Sequence, residues 1–340
     1  MNRLEHALDV SQEAVDLHRQ LAAAHPGVFN ADLASSLGGL SACLSHLGHH
    51  EHALEVNREA VNLCRQLAAG RPGVFNADLA SSLNNFSARL SHLGHHEPAL
   101  EVIREAVDLF RQLAADHPGV FDAGLASSLN GLSARLSHLG HHEQALEVNR
   151  EAANLCRQLA AGCPGVFNAD LASSLNNFSS RLSNLGYHEQ ALEVIREAVD
   201  LFRKLAADRP GVFNPGLASS LNGLSARLSH LGHHEQALEV NREAANLCRQ
   251  LAASRPGVFN ADLASSLNNF AARLSHLGHH EHALEVNREA VDLFRQLTVG
   301  RPGIFDAGLA SSLNGLSARL SHLGHHQHAL EVIQEAANLC

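Results

Sequence analysis

A 46-residue repeat fills the chain and constrains its fold more than any other feature. The tripeptide Leu-Gly-His begins at six leucines, and a seventh site has Leu-Gly-Tyr. These leucines are Leu47, Leu93, Leu139, Leu185, Leu231, Leu277 and Leu323, each 46 residues from the next. A period of this length is typical of a solenoid, in which each unit buries its apolar face only against its neighbours.

Each repeat has the pattern of two helices. In the repeat that begins at Asn76, apolar residues recur at spacings of three and four up to Leu93, and Gly94 ends the first helix. The second helix is predicted from about His96 to Ala115. We expect Asn or Asp to be the N-cap of every first helix. No segment alternates with a period of two, so no strand is predicted.

The chain is therefore predicted to be a single all-α solenoid over residues 1–340. It is expected to contain stacked antiparallel helix pairs after a lone helix at residues 4–23. The pairs are predicted to begin near residues 30, 76, 122, 168, 214, 260 and 306. Neither end shows a polar capping helix. We therefore expect either a piece of a longer array or end-to-end self-association through the uncapped terminal helices.

One set of apolar and small residues recurs at the same positions of each repeat, and in the repeat that begins at Asn76 it consists of Leu83, Phe86, Ser87, Gly94, Ala99 and Ala106. On these residues the repeat resembles the tetratricopeptide repeat (TPR) family, especially its longer kinesin-light-chain-like members. The sequence departs from the family in having Leu90 and His96 at the usual tyrosines, and in a period of 46 rather than 34 residues. The resemblance implies a right-handed superhelix whose first helices line a concave, protein-binding surface. Other helical-pair families with periods in the forties are an alternative.

Two positions of the repeat change together between alternate repeats. One second-helix position alternates between two residue types, in the order Cys64, Phe110, Cys156, Phe202, Cys248, Phe294 and Cys340. On the following first helix, each Cys is followed by Phe and each Phe by Leu, as at Phe86, Leu132, Phe178, Leu224, Phe270 and Leu316. A close-packed core compensates a small side chain with a large one. We predict that Cys64 contacts Phe86, Cys156 contacts Phe178 and Cys248 contacts Phe270, with reduced, buried thiols and an intracellular location.

Composition and motifs exclude several classes of function. The net charge of −10 does not favour nucleic acid or an anionic membrane as a partner. No apolar run approaches the ~20 residues of a membrane span. The chain has no phosphate-binding loop, nucleophile elbow or His-Glu-x-x-His motif. We therefore predict a protein that is not an enzyme and needs no cofactor.

Histidine is unusually abundant, with 26 in the chain. Most turns carry His-x-x-His-His, as at His92, His95 and His96, and imidazole is a common metal ligand. One turn has Asn184 and Tyr187 at two of the three positions. Because a metal needed by every repeat would not survive that loss, we predict no metal site.

The first-helix face opposite the apolar residues is the candidate binding surface. In one repeat it carries Ser81, Asn84, Ala88, Ser91 and His92. Asn can hold an extended peptide backbone through its donor and acceptor, and Arg can pair with acidic side chains. The predicted groove residues are Asn84, Asn130, Asn176, Asn222, Asn268, Asn314, Arg89, Arg135, Arg181, Arg227, Arg273, Arg319, His92, His138, His230 and His276.

The leading prediction for function is a non-catalytic, cytoplasmic scaffold that binds peptide segments of a protein partner in a concave groove. One alternative is the repeat or sensor region of a larger multidomain signalling protein, with its effector domain elsewhere. A second alternative is a His-rich metal-binding array.

Overall fold

The protein is built from α-helices joined by short turns. The computed structural model describes residues 3–25, 27–71, 73–163, 165–255, 257–300 and 303–339, and within these ranges it contains no strand. The helices are α1 (Arg3–Ala24), α2 (Asn30–His46), α3 (His50–Gly70), α4 (Asn76–His92), α5 (His96–Asp116), α6 (Asp122–His138), α7 (His142–Gly162), α8 (Asn168–Asn184), α9 (His188–Asp208), α10 (Pro210–His230), α11 (His234–Ser254), α12 (Asn260–His276), α13 (His280–Gly300), α14 (Asp306–His322) and α15 (His326–Ala337). The predicted all-α fold is confirmed.

Each repeat consists of an even-numbered first helix and an odd-numbered second helix, and α1 is the predicted lone helix. The chain divides into two compact units, Met1–Phe167 and Asn168–Cys340. In the first unit, α4 contacts both α2 and α6, and in the second unit α8, α10, α12 and α14 contact one another in sequence. Among the described residues, the backbones of successive second helices do not come this close. Within each unit, the first helices are therefore the more tightly spaced layer.

The core contains both large aliphatic side chains and alanines that are fully buried. Leu83, Ile103 and Leu129 are fully buried in the first unit, and Leu221 and Leu267 are fully buried in the second. Alanines on the second helices are also fully buried, among them Ala99, Ala106, Ala145, Ala152, Ala191, Ala198, Ala237 and Ala244. Side chains this small let neighbouring helices approach closely, which fits the spaced alanines of the repeat.

A serine on the first helix joins the two helices of most repeats. The hydroxyl of Ser87 donates to the carbonyl of Ala99 at 2.8 Å. Five more serines make the same bond, namely Ser41, Ser133, Ser179, Ser225 and Ser317. The repeat of α12 has Ala271 at this position and so lacks the hydroxyl.

The turns follow the sequence prediction, whereas the helix N-termini do not. Gly94 has a φ of +79°, and the amide of His95 donates to the carbonyl of Leu90 at 2.9 Å, so the glycine provides the left-handed residue that ends α4. The N-cap of α4 is Phe75 rather than Asn76, and it makes no side-chain cap bond. The Phe75 carbonyl already accepts from the amide of Leu79 at 2.9 Å, which places Asn76 inside the helix.

Helix α10 begins at Pro210, four residues earlier than the predicted start near residue 214. Two features favour the extra turn. The ring of Pro215 fixes a helical φ but offers no N–H to the Gly211 carbonyl one turn earlier. The side chain of Arg255 replaces that donor, with Nη2 at 2.9 Å from the Gly211 oxygen.

An ion-pair ladder joins successive second helices on their exposed faces. The Arg65 guanidinium lies 2.7 Å from the Glu105 carboxylate, and the Arg111 guanidinium lies 2.8 Å from that of Glu151. The other pairs are Arg19–Glu59, Arg203–Glu243, Arg249–Glu289 and Arg295–Glu335. Because these side chains are largely exposed, each pair stabilises by about 0.2–1 kcal/mol.

Apolar side chains are exposed on the terminal helices. Leu330 of α15 is 62% exposed, whereas the equivalent Leu100 of α5 is 3% exposed. Val10 and Leu17 of α1 are also more than half exposed. End-to-end self-association through these helices stays a prediction.

Candidate partner-binding face

The predicted binding residues lie on the first helices, and the asparagines and arginines among them are less exposed than expected. The predicted histidines are exposed, namely His92, His138, His230 and His276. We call Asn84, Asn130, Asn176, Asn222, Asn268 and Asn314 the Asn row, and Arg89, Arg135, Arg181, Arg227, Arg273 and Arg319 the Arg row. Asn314 is exposed and Arg319 is buried, and the other members of both rows are half-buried. Ser91, predicted on the open face, is only 7% exposed. The helical wheel was wrong here because the neighbouring first helices pack against this side.

The Asn row is engaged in hydrogen bonds inside the protein. Asn176 Nδ2 donates to the Ser220 hydroxyl at 2.8 Å on the next first helix. Asn222 Oδ1 accepts from Asn241 Nδ2 at 2.7 Å and from Ser266 at 3.1 Å. Both bonds are made by the Asn222 side-chain oxygen. The amide hydrogens of Asn222 have no acceptor among the described residues.

A second row of asparagines was not predicted from the sequence. Asn57, Asn149, Asn241 and Asn287 are fully buried on the second helices. Asn149, Asn241 and Asn287 donate to first-helix asparagines of their own repeat, namely Asn130, Asn222 and Asn268. The signal was present in the sequence, because a second helix has Asn where another has Ile103 or Ile195 in the middle of the apolar stripe.

The Arg row links one repeat to the repeat before it. Arg89 Nε and Nη1 donate to Ser41 and Ser45 at 3.3 Å and 3.0 Å. Arg135 Nε donates to Ser87 at 3.2 Å. In the second unit, Arg227 donates to Ser179 and Ser180, and Arg273 to Ser229. The serine that joins two helices of one repeat thus also accepts from the arginine of the next.

These guanidinium groups lack carboxylate partners. Among the described residues, Arg89, Arg135, Arg227, Arg273 and Arg319 form no ion pair with Asp or Glu. Burial lowers the pKa of all five below the ordinary value for arginine, because desolvation penalises the charged form. A carboxylate from outside would meet partly desolvated cations along this face.

The histidines come together in pairs between repeats. The rings of His50 and His92 have centroids 5.5 Å apart, and those of His96 and His138 are 5.3 Å apart. The same pairing occurs at His188–His230, His234–His276 and His280–His322. Desolvation lowers the pKa of His92, and the nearby His50, Arg89 and Arg135 lower it further. In the described part of the chain, no three His, Cys, Asp or Glu side chains converge as metal ligands.

The Phe side chains at the alternating position lie against a residue that the sequence-based prediction did not name. A Cβ added at Gly124 would overlap the Phe110 ring, and one at Gly308 would lie 2.5 Å from Phe294 Cε1. The partner is therefore a glycine in the first turns of the next first helix, because antiparallel helices bring that region against the C-terminal half of the preceding second helix. Where the second helix has Cys, the same first-helix position has Asp78, Asp170 or Asp262.

The predicted Cys–Phe contacts stay predictions. Cys64 and Phe86 belong to one apolar cluster, and Cys248 and Phe270 belong to another. Desolvation raises the pKa of the Cys64 and Cys248 thiols to about 11, with the charge of the neighbouring aspartate adding to the effect. The prediction of buried thiols is wrong for Cys163, which is exposed. Cys340 lies outside the described residues.

A stack of helix pairs with a polar first-helix face defines a helical repeat protein. A family profile for the tetratricopeptide repeat matches residues 79–119, 125–160, 171–208, 217–252 and 263–301, more than half of the chain. The chain therefore belongs to the tetratricopeptide repeat family. A profile for anaphase-promoting complex subunit 5 matches residues 2–69. No curated protein matches the chain.

Solved structures with the same fold are distant in sequence. The apo quorum sensor NprR from B. thuringiensis has a TM-score of 0.71 at 14% identity, over 98% of this chain and 83% of NprR. A Rap protein complexed with Competence and Sporulation Factor has a TM-score of 0.65 at 15% identity, over 97% of this chain and 79% of the Rap protein. A putative kinesin light chain from Podosopora anserina with nearly identical TPR-like repeats has a TM-score of 0.50 at 16% identity, over 64% of this chain and 95% of that one.

A search of the described helices for membrane spans found none that is both long and apolar enough to cross a bilayer.

Proposed function

We propose that this protein is a non-catalytic scaffold that binds an extended segment of a partner protein along the face formed by its first helices. The observation that carries the proposal is a property of five members of the Arg row, whose guanidinium groups have hydroxyl or carbonyl partners but no carboxylate among the described residues, namely Arg89, Arg135, Arg227, Arg273 and Arg319. Each guanidinium has five N–H donors, and these five arginines use one or two of them in hydrogen bonds with described residues. A partner with acidic side chains would supply the missing charge.

The fold supports the same role. Repeat proteins generally present extended surfaces to their partners, since successive units repeat the same side chains along one face. The Rap protein noted above was solved with a bound factor. Here the spacing of the first helices would place equivalent Asn, Arg and Ser residues at regular intervals along a bound segment. The location that suits such a scaffold is the cytoplasm.

The decisive experiment adds carboxylates to this face without removing any existing hydrogen bond. Ala88, Ala134 and Ala226 are half-buried residues that each precede a member of the Arg row. The triple variant Ala88→Glu, Ala134→Glu and Ala226→Glu should pair with the arginines and block acidic segments. A peptide library displayed against immobilised wild-type protein should yield acidic segments whose affinity falls ten-fold or more in the variant.

A matched control places the same charges elsewhere. Gln144, Gln190 and Gln236 are exposed at the starts of second helices. Changing these three to Glu adds the same net charge and should leave peptide affinity within two-fold of the wild type. Equal loss of affinity in both variants would indicate long-range repulsion, and unchanged affinity in the Ala→Glu variant would place the binding site on another surface.

A second candidate function is the repeat region of a larger signalling protein. The similarity to the quorum sensor NprR favours it, because this chain covers 83% of that sensor. The sequence on either side of the chain discriminates the two candidates, since an effector domain encoded there would support the second.

A further inference from the structure

The contact between one second helix and the next first helix exists in two forms, which we call Phe junctions and Cys junctions. In a Phe junction, the ring of Phe202 or Phe294 lies directly over Gly216 or Gly308 and fills the space above it. In the Cys junction of the second unit, the thiol of Cys248 replaces the ring, and Asp262 replaces the glycine. A thiol is much smaller than a phenyl ring, so the Cys junction leaves volume that the Phe junction fills.

That volume is present as a cavity. It measures about 270 Å³ and lies between α10, α11 and α12. Cys248, Leu251 and Phe259 contribute apolar wall, and Asn222, Asp262 and Asn269 contribute polar groups. Asn222 belongs to the Asn row, so the cavity is continuous with the proposed partner-binding face. It is large enough for one amino-acid side chain.

Two polar groups of the cavity, the Asp262 carboxylate and the Asn222 amide hydrogens, have no partner among the described residues. Asp262 is exposed and makes no ion pair or side-chain hydrogen bond there, and partial desolvation raises the pKa of its carboxyl group. The oxygen of Asn222 takes the bonds from Asn241 and Ser266, which leaves its amide hydrogens as donors. Arg255 is the described cationic residue nearest to Asp262 in the sequence. Its Cζ lies 4.7 Å from the centroid of the Phe259 ring, and its guanidinium donates to the Gly211 carbonyl.

We propose that the cavity at Cys248 and Asp262 is a binding pocket for one arginine or lysine side chain of the partner segment. The aliphatic stem packs against Cys248, Leu251 and Phe259, and the cation pairs with the Asp262 carboxylate. The Asn222 amide donates to a backbone carbonyl of the same segment. The inference rests on the proposed function, and it deepens it by adding a basic position to the recognised segment. The net charge of −10 also attracts a basic side chain.

The same residue pair recurs in the sequence as Cys64 with Asp78 and as Cys156 with Asp170, and the first of these pairs lies within one unit. In the first unit, the charge of Asp78 acts on the Cys64 thiol as that of Asp262 acts on Cys248. A segment bound along the first unit would therefore meet the equivalent pocket at Cys64 and Asp78. Near the other end of the first helices, the Arg row would meet acidic side chains of the same segment.

The test compares two tripeptides that differ in charge and little in shape. N-acetyl-Ala-Arg-Ala-amide and N-acetyl-Ala-citrulline-Ala-amide are titrated into the full chain at neutral pH, and saturation-transfer difference NMR measures each dissociation constant. We expect the arginine peptide to bind at least five-fold more tightly. The triple variant Asp78→Asn, Asp170→Asn and Asp262→Asn should abolish that preference. The control Asp108→Asn, Asp200→Asn and Asp292→Asn changes exposed second-helix aspartates and should retain it.

A second variant fills the pocket with the Phe and Gly residues that the chain has at its Phe junctions. Replacing Cys64 and Cys248 by Phe together with Asp78 and Asp262 by Gly gives both sites the residue pair of a Phe junction, and the same change at Cys156 and Asp170 gives the third sequence pair the same residues. This variant should keep its melting temperature and lose the arginine peptide. The inference is overturned if the two peptides bind equally to the wild type, or if the preference survives in the Asp→Asn variant. Either result leaves the proposed function standing, because that proposal is tested by the Ala→Glu variant on library peptides.

Discussion

Single side chains set the distance between neighbouring helices. Gly124 has no side chain at the point where the Phe110 ring lies, and Ala99 is small where Ser87 reaches its carbonyl. Glycine and serine are poor helix formers compared with alanine, so these positions give up intrinsic helix propensity in exchange for packing and hydrogen bonds. Substitutions there should separate the two effects cleanly.

Gly124→Ala should destabilise the protein although alanine favours helix. The new methyl group would overlap the Phe110 ring, and overpacking of this kind costs about 1–3 kcal/mol against a propensity gain of about 1 kcal/mol. Gly38→Ala in α2 is the matched control, because nothing lies within 4 Å of its Cβ, and it should stabilise. Urea unfolding midpoints measure both. A stabilising Gly124→Ala would mean that the ring moves aside at no cost.

Ala271→Ser should stabilise the protein. The hydroxyl would donate to the carbonyl of Ala283, as six equivalent serines do in other repeats, and it would lie where Arg319 needs an acceptor. Arg319 Nε is buried and has no hydrogen-bond partner. A new buried hydrogen bond contributes about 0.5–1.5 kcal/mol. The unfolding midpoint should rise, and Ser87→Ala should lower it. A fall on Ala271→Ser would show that the site has no room for the oxygen.

At the scale of single helices, the start of α10 depends on a tertiary contact. Helix α10 has an additional turn at its N-terminus because Arg255, from the C-terminal end of α11, satisfies the carbonyl that Pro215 cannot. Gly211 accordingly lacks the left-handed φ that its counterpart Gly257 shows at +82°. Arg255, which is distant in sequence, and Pro215, which lies within the helix, together favour the helical conformation of residues 210–213.

Arg255→Ala should fray the first turn of α10. Loss of the bond to Gly211 leaves an unsatisfied carbonyl, so amide exchange at residues 211–214 should accelerate about five-fold, corresponding to about 1 kcal/mol. Arg71→Ala is the control. Its guanidinium stacks 6.0 Å from the Phe75 ring and supports no additional turn. Hydrogen–deuterium exchange with peptide resolution measures both, and equal exchange in wild type and Arg255→Ala would contradict the account.

At the scale of the whole molecule, charge is segregated by layer. The second helices pair their exposed Arg and Glu side chains between repeats, whereas five first-helix arginines form no ion pair with Asp or Glu among the described residues, namely Arg89, Arg135, Arg227, Arg273 and Arg319. The pKa of His92, His230 and His276 lies below the ordinary 6.5 because burial, the paired histidine and the flanking arginines all disfavour a proton. The unfolded chain lacks these effects and takes up protons at a higher pH.

Acidification should therefore destabilise the protein through these histidines. Above pH 6.5 both states hold neutral imidazoles and the full stability is present; as the pH falls below 6.5, the unfolded state binds protons first and stability decreases. The triple variant His92→Asn, His230→Asn and His276→Asn, which uses the residue found at Asn184, should flatten the fall in melting temperature between pH 7 and pH 5. His95→Asn, at an exposed turn, should leave the slope unchanged. An identical slope in all three proteins would assign the pH dependence to other groups.

The amino-acid sequence by itself determined the helix pairs, their turns and the 46-residue period, because propensity, glycine stop signals and apolar spacing act within one repeat. It also placed the candidate residues on one layer of helices. Only the tertiary structure decided which of these residues remain open. The side of α4 that carries Asn84, Arg89 and Ser91 is exposed in an isolated helix, but packing of the neighbouring first helices α2 and α6 buries part of it and engages its hydrogen bonds. The partner of Phe110 was likewise decided by which turns of two antiparallel helices meet, a pairing that depends on distance in space rather than on position within either repeat.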